Sequence, residues 1–187
     1  MAALFVSRDG SYGQVEPNRL SGITFGNIEG QAPAFEDATA TTPIAELENG
    51  QFLCVVADLT DTSPMGRIAV YPGAASAKSV PYLVFSEKKI YDERLGYADF
   101  VDRAKEKVDG KLYPRLVGIT PDSCVFTTNT INEENTASGG TLVEGDILFI
   151  GDDGYLSTNA GINETYQFLI TKVYTLPDGQ EAVKLMA

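Results

Sequence analysis

Carboxylates are the residues of this chain whose types and spacing come closest to a site for chemistry. Asp146, Asp152 and Asp153 lie close together, and carboxylate oxygens are ligands that Ca²⁺ prefers. The stretch lacks the alternating Asp/Asn spacing and the distal Glu of an EF-hand, and Asp-Gly is a common sequence of tight hairpin turns. The pairs Glu133-Glu134 and Asp92-Glu93 are interpreted as solvated loop charges rather than acid/base dyads. The sequence therefore predicts no metal site and no catalytic pair.

Histidine is absent from all 187 residues. This absence disfavours serine and cysteine triads, zinc-activated water and histidine proton relays, because histidine is the central group of each. Enzymes that use carboxylates, Lys or Tyr remain an alternative. Cys54 and Cys124 lie 70 positions apart in apolar surroundings, which predicts two free buried thiols rather than a metal pair. We predict a protein that is not an enzyme and needs no cofactor.

The charge of the chain is negative overall and uneven. The net charge is -12, with 14 Lys and Arg against 26 Asp and Glu, which disfavours binding to nucleic acid. Residues 88–115 are the exception, with 8 basic and 6 acidic residues, whereas residues 116–187 carry 2 basic and 10 acidic ones. We expect the basic stretch to contact an acidic protein surface. Its candidate contact residues are Lys88, Lys89, Arg94, Arg103, Lys105 and Lys107.

Membrane insertion and export are also disfavoured by the sequence. No run of 18 apolar residues occurs anywhere in the chain, so no transmembrane helix is expected. The first residues have no basic region and only a five-residue apolar run, which is too short for a signal peptide. We expect a soluble protein that is made in the cytoplasm.

The N-terminal residues 1–50 are rich in small and polar residues and contain only scattered hydrophobic ones. Such a segment cannot build its own core. We predict an extended arm that packs on the following domain or on a neighbouring subunit, with a disordered tail as the alternative. The arm residues expected to contact a partner are Leu4, Phe5, Val6, Leu20, Ile23 and Phe25.

Residues 51–118 form a central β-rich region with one predicted helix. Three short β-type runs, at 51–57, 66–71 and 80–86, are separated by polar turns and are interpreted as an antiparallel meander. Apolar residues at steps of four, three and four predict a helix at about 97–109. Asp109-Gly110 is interpreted as the stop signal of that helix.

Residues 119–187 are predicted to form a small β-barrel or one sheet of a sandwich. Runs at 116–119 and 125–131 are strand candidates. Two hairpins follow, one around the Gly151–Gly154 turn and one around Pro177-Asp178-Gly179. The predicted fold is therefore mainly β, with an extended N-terminal arm, a central β-rich region bearing one helix, and this small C-terminal fold.

The stretch 142–156, Leu-Val-Glu-Gly-Asp-Ile-Leu-Phe-Ile-Gly-Asp-Asp-Gly-Tyr-Leu, resembles a strand, Asp-Gly turn and strand signature of small β-barrels in virion proteins of tailed bacteriophages, especially capsid decoration proteins. Residues 121–129 resemble a strand entry in phage head-associated proteins. The resemblance implies a viral structural protein that binds the major capsid protein or another virion protein, bridges neighbouring subunits and reinforces the shell. It also implies a homo-oligomer on a symmetric lattice and a location in the virion.

A second function is left open by the sequence. A glycan-binding or host-surface-binding β-domain displayed on the virion predicts an exposed cluster of Tyr, Asn and Asp side chains. The residues that could form it are Tyr155, Asn159, Asn163 and Tyr166.

Overall fold

In its described residues the computed structural model is mainly β, which confirms that part of the predicted fold. Within the described part, strands and turns account for the regular structure, and the one helical element is a 3-10 turn at Pro72–Ala74. The structure describes residues 4–6, 32–48, 50–63, 66–76, 79–84, 107–114, 116–119, 125–132, 141–159, 166–175, 179 and 181–187.

Thirteen strands are present in these ranges, and they form two main sheets and one isolated hairpin. In chain order the strands are β1 (Leu4–Val6), β2 (Ala34–Phe35), β3 (Phe52–Ala57), β4 (Arg67–Val70), β5 (Pro81–Val84), β6 (Lys107–Val108), β7 (Lys111–Leu112), β8 (Leu116–Gly118), β9 (Val125–Thr128), β10 (Ile147–Ile150), β11 (Leu156–Ser157), β12 (Gln167–Thr175) and β13 (Glu181–Met186).

The first sheet has five strands in the spatial order β2-β4-β3-β5-β8. The three predicted runs of the central region form β3, β4 and β5, but the predicted meander order is wrong. Strand β3 lies between β4 and β5 and pairs antiparallel with both. After β4 the chain passes through the 3-10 turn at Pro72–Ala74 and returns to the opposite edge of β3.

The second sheet has six strands in the order β1-β9-β13-β12-β10-β11. Both predicted C-terminal hairpins are present, as the antiparallel pairs β10–β11 and β12–β13. The strand order is open, with β1 and β11 at its two edges, so these strands do not form a closed barrel. A single parallel bridge between Ile131 and Leu156 joins β11 to the chain just beyond β9.

The predicted helix at about 97–109 is wrong at its C-terminal end. Lys107–Val108 is strand β6, and it pairs with β7 across the two-residue turn Asp109-Gly110. Both turn residues have positive φ, 51° and 76°, which is the geometry of a tight hairpin turn whose twist matches the flanking strands. The Asp-Gly pair therefore closes a hairpin rather than ending a helix. Residues 97–106 lie outside the described ranges.

The two sheets share one core. Buried side chains of the six-stranded sheet, such as Phe126 and Phe168, pack in one cluster with Phe52, Leu83 and Val117 of the five-stranded sheet. Phe52 and Phe126 flank Phe168, with ring centroids 5.5 Å and 5.7 Å away. The predicted central and C-terminal regions are thus packed against each other through apolar side chains.

The end of the predicted N-terminal arm packs on the chain that follows it. Within residues 32–48, the buried side chains of Ile44 and Leu47 belong to a second cluster that includes Leu53 and Leu116. Strand β2 adds to β4 in parallel, and β1 adds to β9 in parallel at the edge of the other sheet. These parts of the arm therefore contact their own chain. Leu20, Ile23 and Phe25 lie outside the described residues.

Candidate interaction surface

The structure describes four of the twelve residues that the sequence predicts to contact a partner. Leu4, Phe5 and Val6 form β1, and their backbone extends the six-stranded sheet. Lys107 is exposed on β6, in the basic stretch. The other predicted contact residues lie outside the described ranges, and they are Leu20, Ile23, Phe25, Lys88, Lys89, Arg94, Arg103 and Lys105.

Two of the three candidate carboxylates, those of Asp146 and Asp153, accept hydrogen bonds within turns. The backbone N–H of Val143 donates to Oδ2 of Asp146 at 3.2 Å, and the N–H of Tyr155 donates to Oδ1 of Asp153 at 3.0 Å. These are local bonds of the kind that Asp makes in turns. Within the described residues, no three His, Cys, Asp or Glu side chains are grouped so that they could hold a metal ion.

Cys54 is a free, buried thiol in β3, as the sequence predicts. Burial raises its pKa to about 11, because the thiolate loses its hydration. The thiol is therefore protonated at neutral pH and is a poor nucleophile. Cys124 lies outside the described residues.

Polar contacts join the end of the arm and the start of β3 to the β10–β11 turn. Nε2 of Gln51 donates to the carbonyl of Asp153 at 3.2 Å, and the hydroxyl of Tyr155 donates to Glu48 at 3.0 Å. The N–H of Phe52 donates to the carbonyl of Gly154 at 2.8 Å. The Tyr155 hydroxyl, one member of the alternative glycan-binding cluster, is thus engaged in holding this junction. Asn163 of that cluster lies outside the described residues.

An exposed apolar row crosses the outer face of the six-stranded sheet. Ile147 of β10 is paired with Leu169 of β12, and Leu169 is paired with Met186 of β13. Directly paired residues point to the same face of a sheet, and these three side chains are 43%, 36% and 42% exposed. Val125 of β9 pairs with Met186 and continues the row. We call these four residues the apolar row.

Two lysines follow the apolar row on the same face. A bulge between Ile170 and Lys172 inserts one extra residue into β12, so that Lys172 is paired with Lys184 of β13. Lys184 is two positions before Met186 and therefore points to the same face. Lys172 lies over the ring of Tyr174, with Nζ 5.1 Å from its centroid. Lys172 and Lys184, which we call the lysine pair, are the two basic residues among positions 116–187.

The lysine pair places like charges directly opposite each other, an arrangement that destabilises a sheet in isolation. No described residue forms an ion pair with either lysine. The outer face therefore presents, beside an apolar strip, two positive charges that no described residue neutralises, in a protein whose net charge is -12.

The loop between β3 and β4 presents a second exposed apolar group. Leu59 is 89% exposed at this loop. The carboxylate of Asp58 accepts hydrogen bonds from the N–H of Thr60 at 2.9 Å, the hydroxyl of Thr62 at 3.0 Å and the N–H of Ser63 at 2.6 Å. Desolvation raises the pKa of Asp58, but these hydrogen bonds outweigh it and hold the pKa well below its usual value. The loop is thus held in one shape by a single ionised carboxylate.

Sequence reasoning missed the apolar row because it located the strands without assigning their residues to the two faces of a sheet. The signal that could have found it is the break in alternation: Leu148, Phe168 and Leu185 face the core, and each has an apolar neighbour beside it in the chain. A strand with one buried and one solvated face alternates apolar and polar residues. Adjacent apolar residues on three paired strands therefore indicate a second apolar face.

The sequence matches no protein-family model, and neither a curated protein nor a solved structure is significantly similar to it. In the part of the chain that the structure describes, no helix is long and apolar enough to cross a membrane. The function is therefore inferred from the exposed surface and from the sequence resemblance.

Proposed function

We propose that this protein is a non-enzymatic structural protein of a bacteriophage virion, which binds and reinforces the capsid in a decoration or head-associated role. The observation that carries the proposal is the apolar row. Three of its apolar side chains, on neighbouring strands, form a contiguous exposed strip, and exposed apolar surface of this kind supports a site of protein–protein contact. The virion assignment rests on the resemblance of residues 142–156, which span β10 and the start of β11.

The proposed partner is the major capsid protein or another virion protein, on a symmetric lattice of copies. Repetition on a lattice multiplies weak contacts, because each bound copy places its remaining contacts at a high effective concentration. The N-terminal arm and the small C-terminal fold are the proposed contact elements. The extended arm supplies Leu20, Ile23 and Phe25, and the basic stretch supplies Lys88 and its neighbours, as the sequence predicts.

The apolar row gives a direct test of this function. The double variant Leu169→Asp/Met186→Asp replaces two apolar side chains by charges. In the proposed complex these two side chains are buried against the partner. We expect its occupancy on purified phage particles to fall at least about tenfold, since a loss of ~1.4 kcal/mol is a factor of ten in affinity. Co-sedimentation with particles stripped of the wild-type protein measures that occupancy.

The matched control for that experiment is Val80→Asp. Val80 is also an exposed aliphatic residue, but it lies just before β5 in the other sheet. This variant is expected to bind particles like the wild-type protein. Equal binding by the Leu169→Asp/Met186→Asp variant would contradict a role for the row in attachment.

A further inference from the structure

We infer that the apolar row and the lysine pair receive the Leu59 loop of a second copy of this chain, which makes a head-to-tail contact between neighbouring copies. This inference rests on the proposed function and deepens it: on the lattice the apolar row binds a neighbouring copy, whereas the arm and the basic stretch bind the capsid. A variant of the row then loses occupancy on particles because the contact between copies is lost. In this contact the Leu59 side chain packs against the apolar row, and the carboxylate of Asp61 faces Lys172 and Lys184.

The charges of the two surfaces are complementary. Asp61 is exposed two positions after Leu59, in a left-handed backbone conformation with φ of 57°. No described residue pairs with its carboxylate. Asp58, by contrast, is occupied in holding the loop. One exposed carboxylate beside an exposed Leu thus complements two ammonium groups beside an exposed apolar strip, and none of these three charges is paired with a described residue.

The reach of the chain allows both contacts to form at once. The Cα atoms of Leu59 and Asp61 are separated by two peptide units, which span at most about 7 Å. Met186 and Lys184 are two residues apart on one strand, a separation of about 7 Å at the rise of an extended strand. A loop that seats Leu59 against Met186 can therefore place Asp61 over Lys184.

The contact requires two copies. Leu59 belongs to the loop between two strands of the five-stranded sheet, whereas the apolar row lies on the outer face of the six-stranded sheet. Both are exposed in the same molecule, so neither covers the other. A contact between two different patches is heterologous, and it generates a closed ring or an open chain of copies. Either product suits a protein arrayed on a lattice. The preformed loop loses little conformational freedom on docking.

Disulfide trapping between two variants tests the contact. A Leu59→Cys chain is mixed with a Met186→Cys chain under mild oxidation, with and without phage particles, and the products are separated on a non-reducing gel. We expect a covalent dimer of the two variants, at a yield at least about tenfold above that of the control mixture of Leu59→Cys with Val80→Cys. Equal yields in the two mixtures, both on and off particles, would overturn the inference.

Charge reversal provides the second measurement. Asp61→Lys, and separately Lys172→Asp/Lys184→Asp, are each expected to abolish the trapped dimer when introduced into both partner chains. Combining the three substitutions restores it, because the charges of both surfaces are then reversed together. The control Asp109→Lys also reverses an exposed aspartate at positive φ and is expected to leave trapping unchanged. Failure of the combined variant to recover would contradict the assignment of Asp61.

Failure of this inference and failure of the proposed function give different results. If trapping is absent while the protein still binds particles at a fixed ratio, the contact between copies is wrong and the capsid role stands. If trapping occurs while the protein does not bind particles, the contact stands and the capsid role is wrong.

Discussion

Substituting Gly154 by Ala will lower the free energy of unfolding by about 2–5 kcal/mol, the sum of backbone strain and a steric clash. Gly154 has φ of 82°, and an added Cβ would overlap the carbonyl oxygen of Phe52. The loop cannot move away freely, because the N–H of Phe52 donates to the Gly154 carbonyl at 2.8 Å. Nor can Phe52 shift, since its ring packs against Phe168 in the shared core. Urea unfolding measures the loss.

Gly145→Ala separates the clash from the strain. Gly145 also has positive φ, 98°, but an added Cβ would meet no atom within 4 Å. We expect this control to lose only the strain of the left-handed conformation, about 1–2 kcal/mol. Equal losses in the two variants would show that the close approach between the β10–β11 turn and β3 is not tightly packed.

Phe168→Ala will destabilise the protein by about 3–5 kcal/mol, the range for deleting a buried aromatic ring. The Phe168 side chain is fully buried. Its ring touches Phe52 of one sheet at 5.5 Å and Phe126 of its own sheet at 5.7 Å between centroids. Its removal therefore leaves a cavity where the two sheets meet. Thermal unfolding followed by circular dichroism measures the effect.

Leu169→Ala is the neighbouring control, one position along the same strand. Its side chain points to the outer face and belongs to the apolar row, so its truncation is expected to cost less than about 1 kcal/mol of stability. A loss as large as that of Phe168→Ala would mean that Leu169 is part of the core, and the row would then not be a free surface.

Much of the strand content of this fold follows from its sequence, because short β-type runs between turn residues are local signals. The run at 51–57 forms β3 (Phe52–Ala57), and the run at 66–71 forms β4 (Arg67–Val70). The two C-terminal hairpins are present because Asp-Gly turns connect runs of alternating or wholly apolar residues. These features depend on few long-range contacts.

The remaining features depend on tertiary context. Apolar residues spaced at three and four near Val108 favour a helix, but Asp109 and Gly110 both adopt positive φ and pair the short strands on either side. Strand β2 contains only Ala34 and Phe35, which is too short to give a periodic signal. Its position next to β4 is fixed by the buried side chains of Ile44 and Leu47 that follow it.

The candidate surface was the least accessible to sequence reasoning. Lys172 and Lys184 are twelve positions apart, and only the hairpin register with its bulge brings them opposite each other. Ile147, Leu169 and Met186 are likewise united by pairing across three strands. Sequence reasoning predicted a positive surface in residues 88–115, of which the structure describes 107–114, and it did not find the lysine pair because it counted charges along the chain rather than across a sheet.

Heat resistance of the capsid tests the central claim most directly. Under the proposed function the protein is encoded by a phage, so particles of that phage are prepared with and without the protein, and DNA release is followed during heating at low ionic strength. We predict that the protein co-purifies with intact particles at a fixed ratio to the major capsid protein, and that particles lacking it release DNA at a lower temperature. Adding the purified protein back should restore resistance, whereas the Leu169→Asp/Met186→Asp variant should not. Identical release temperatures with and without the protein would contradict a reinforcing role on the capsid.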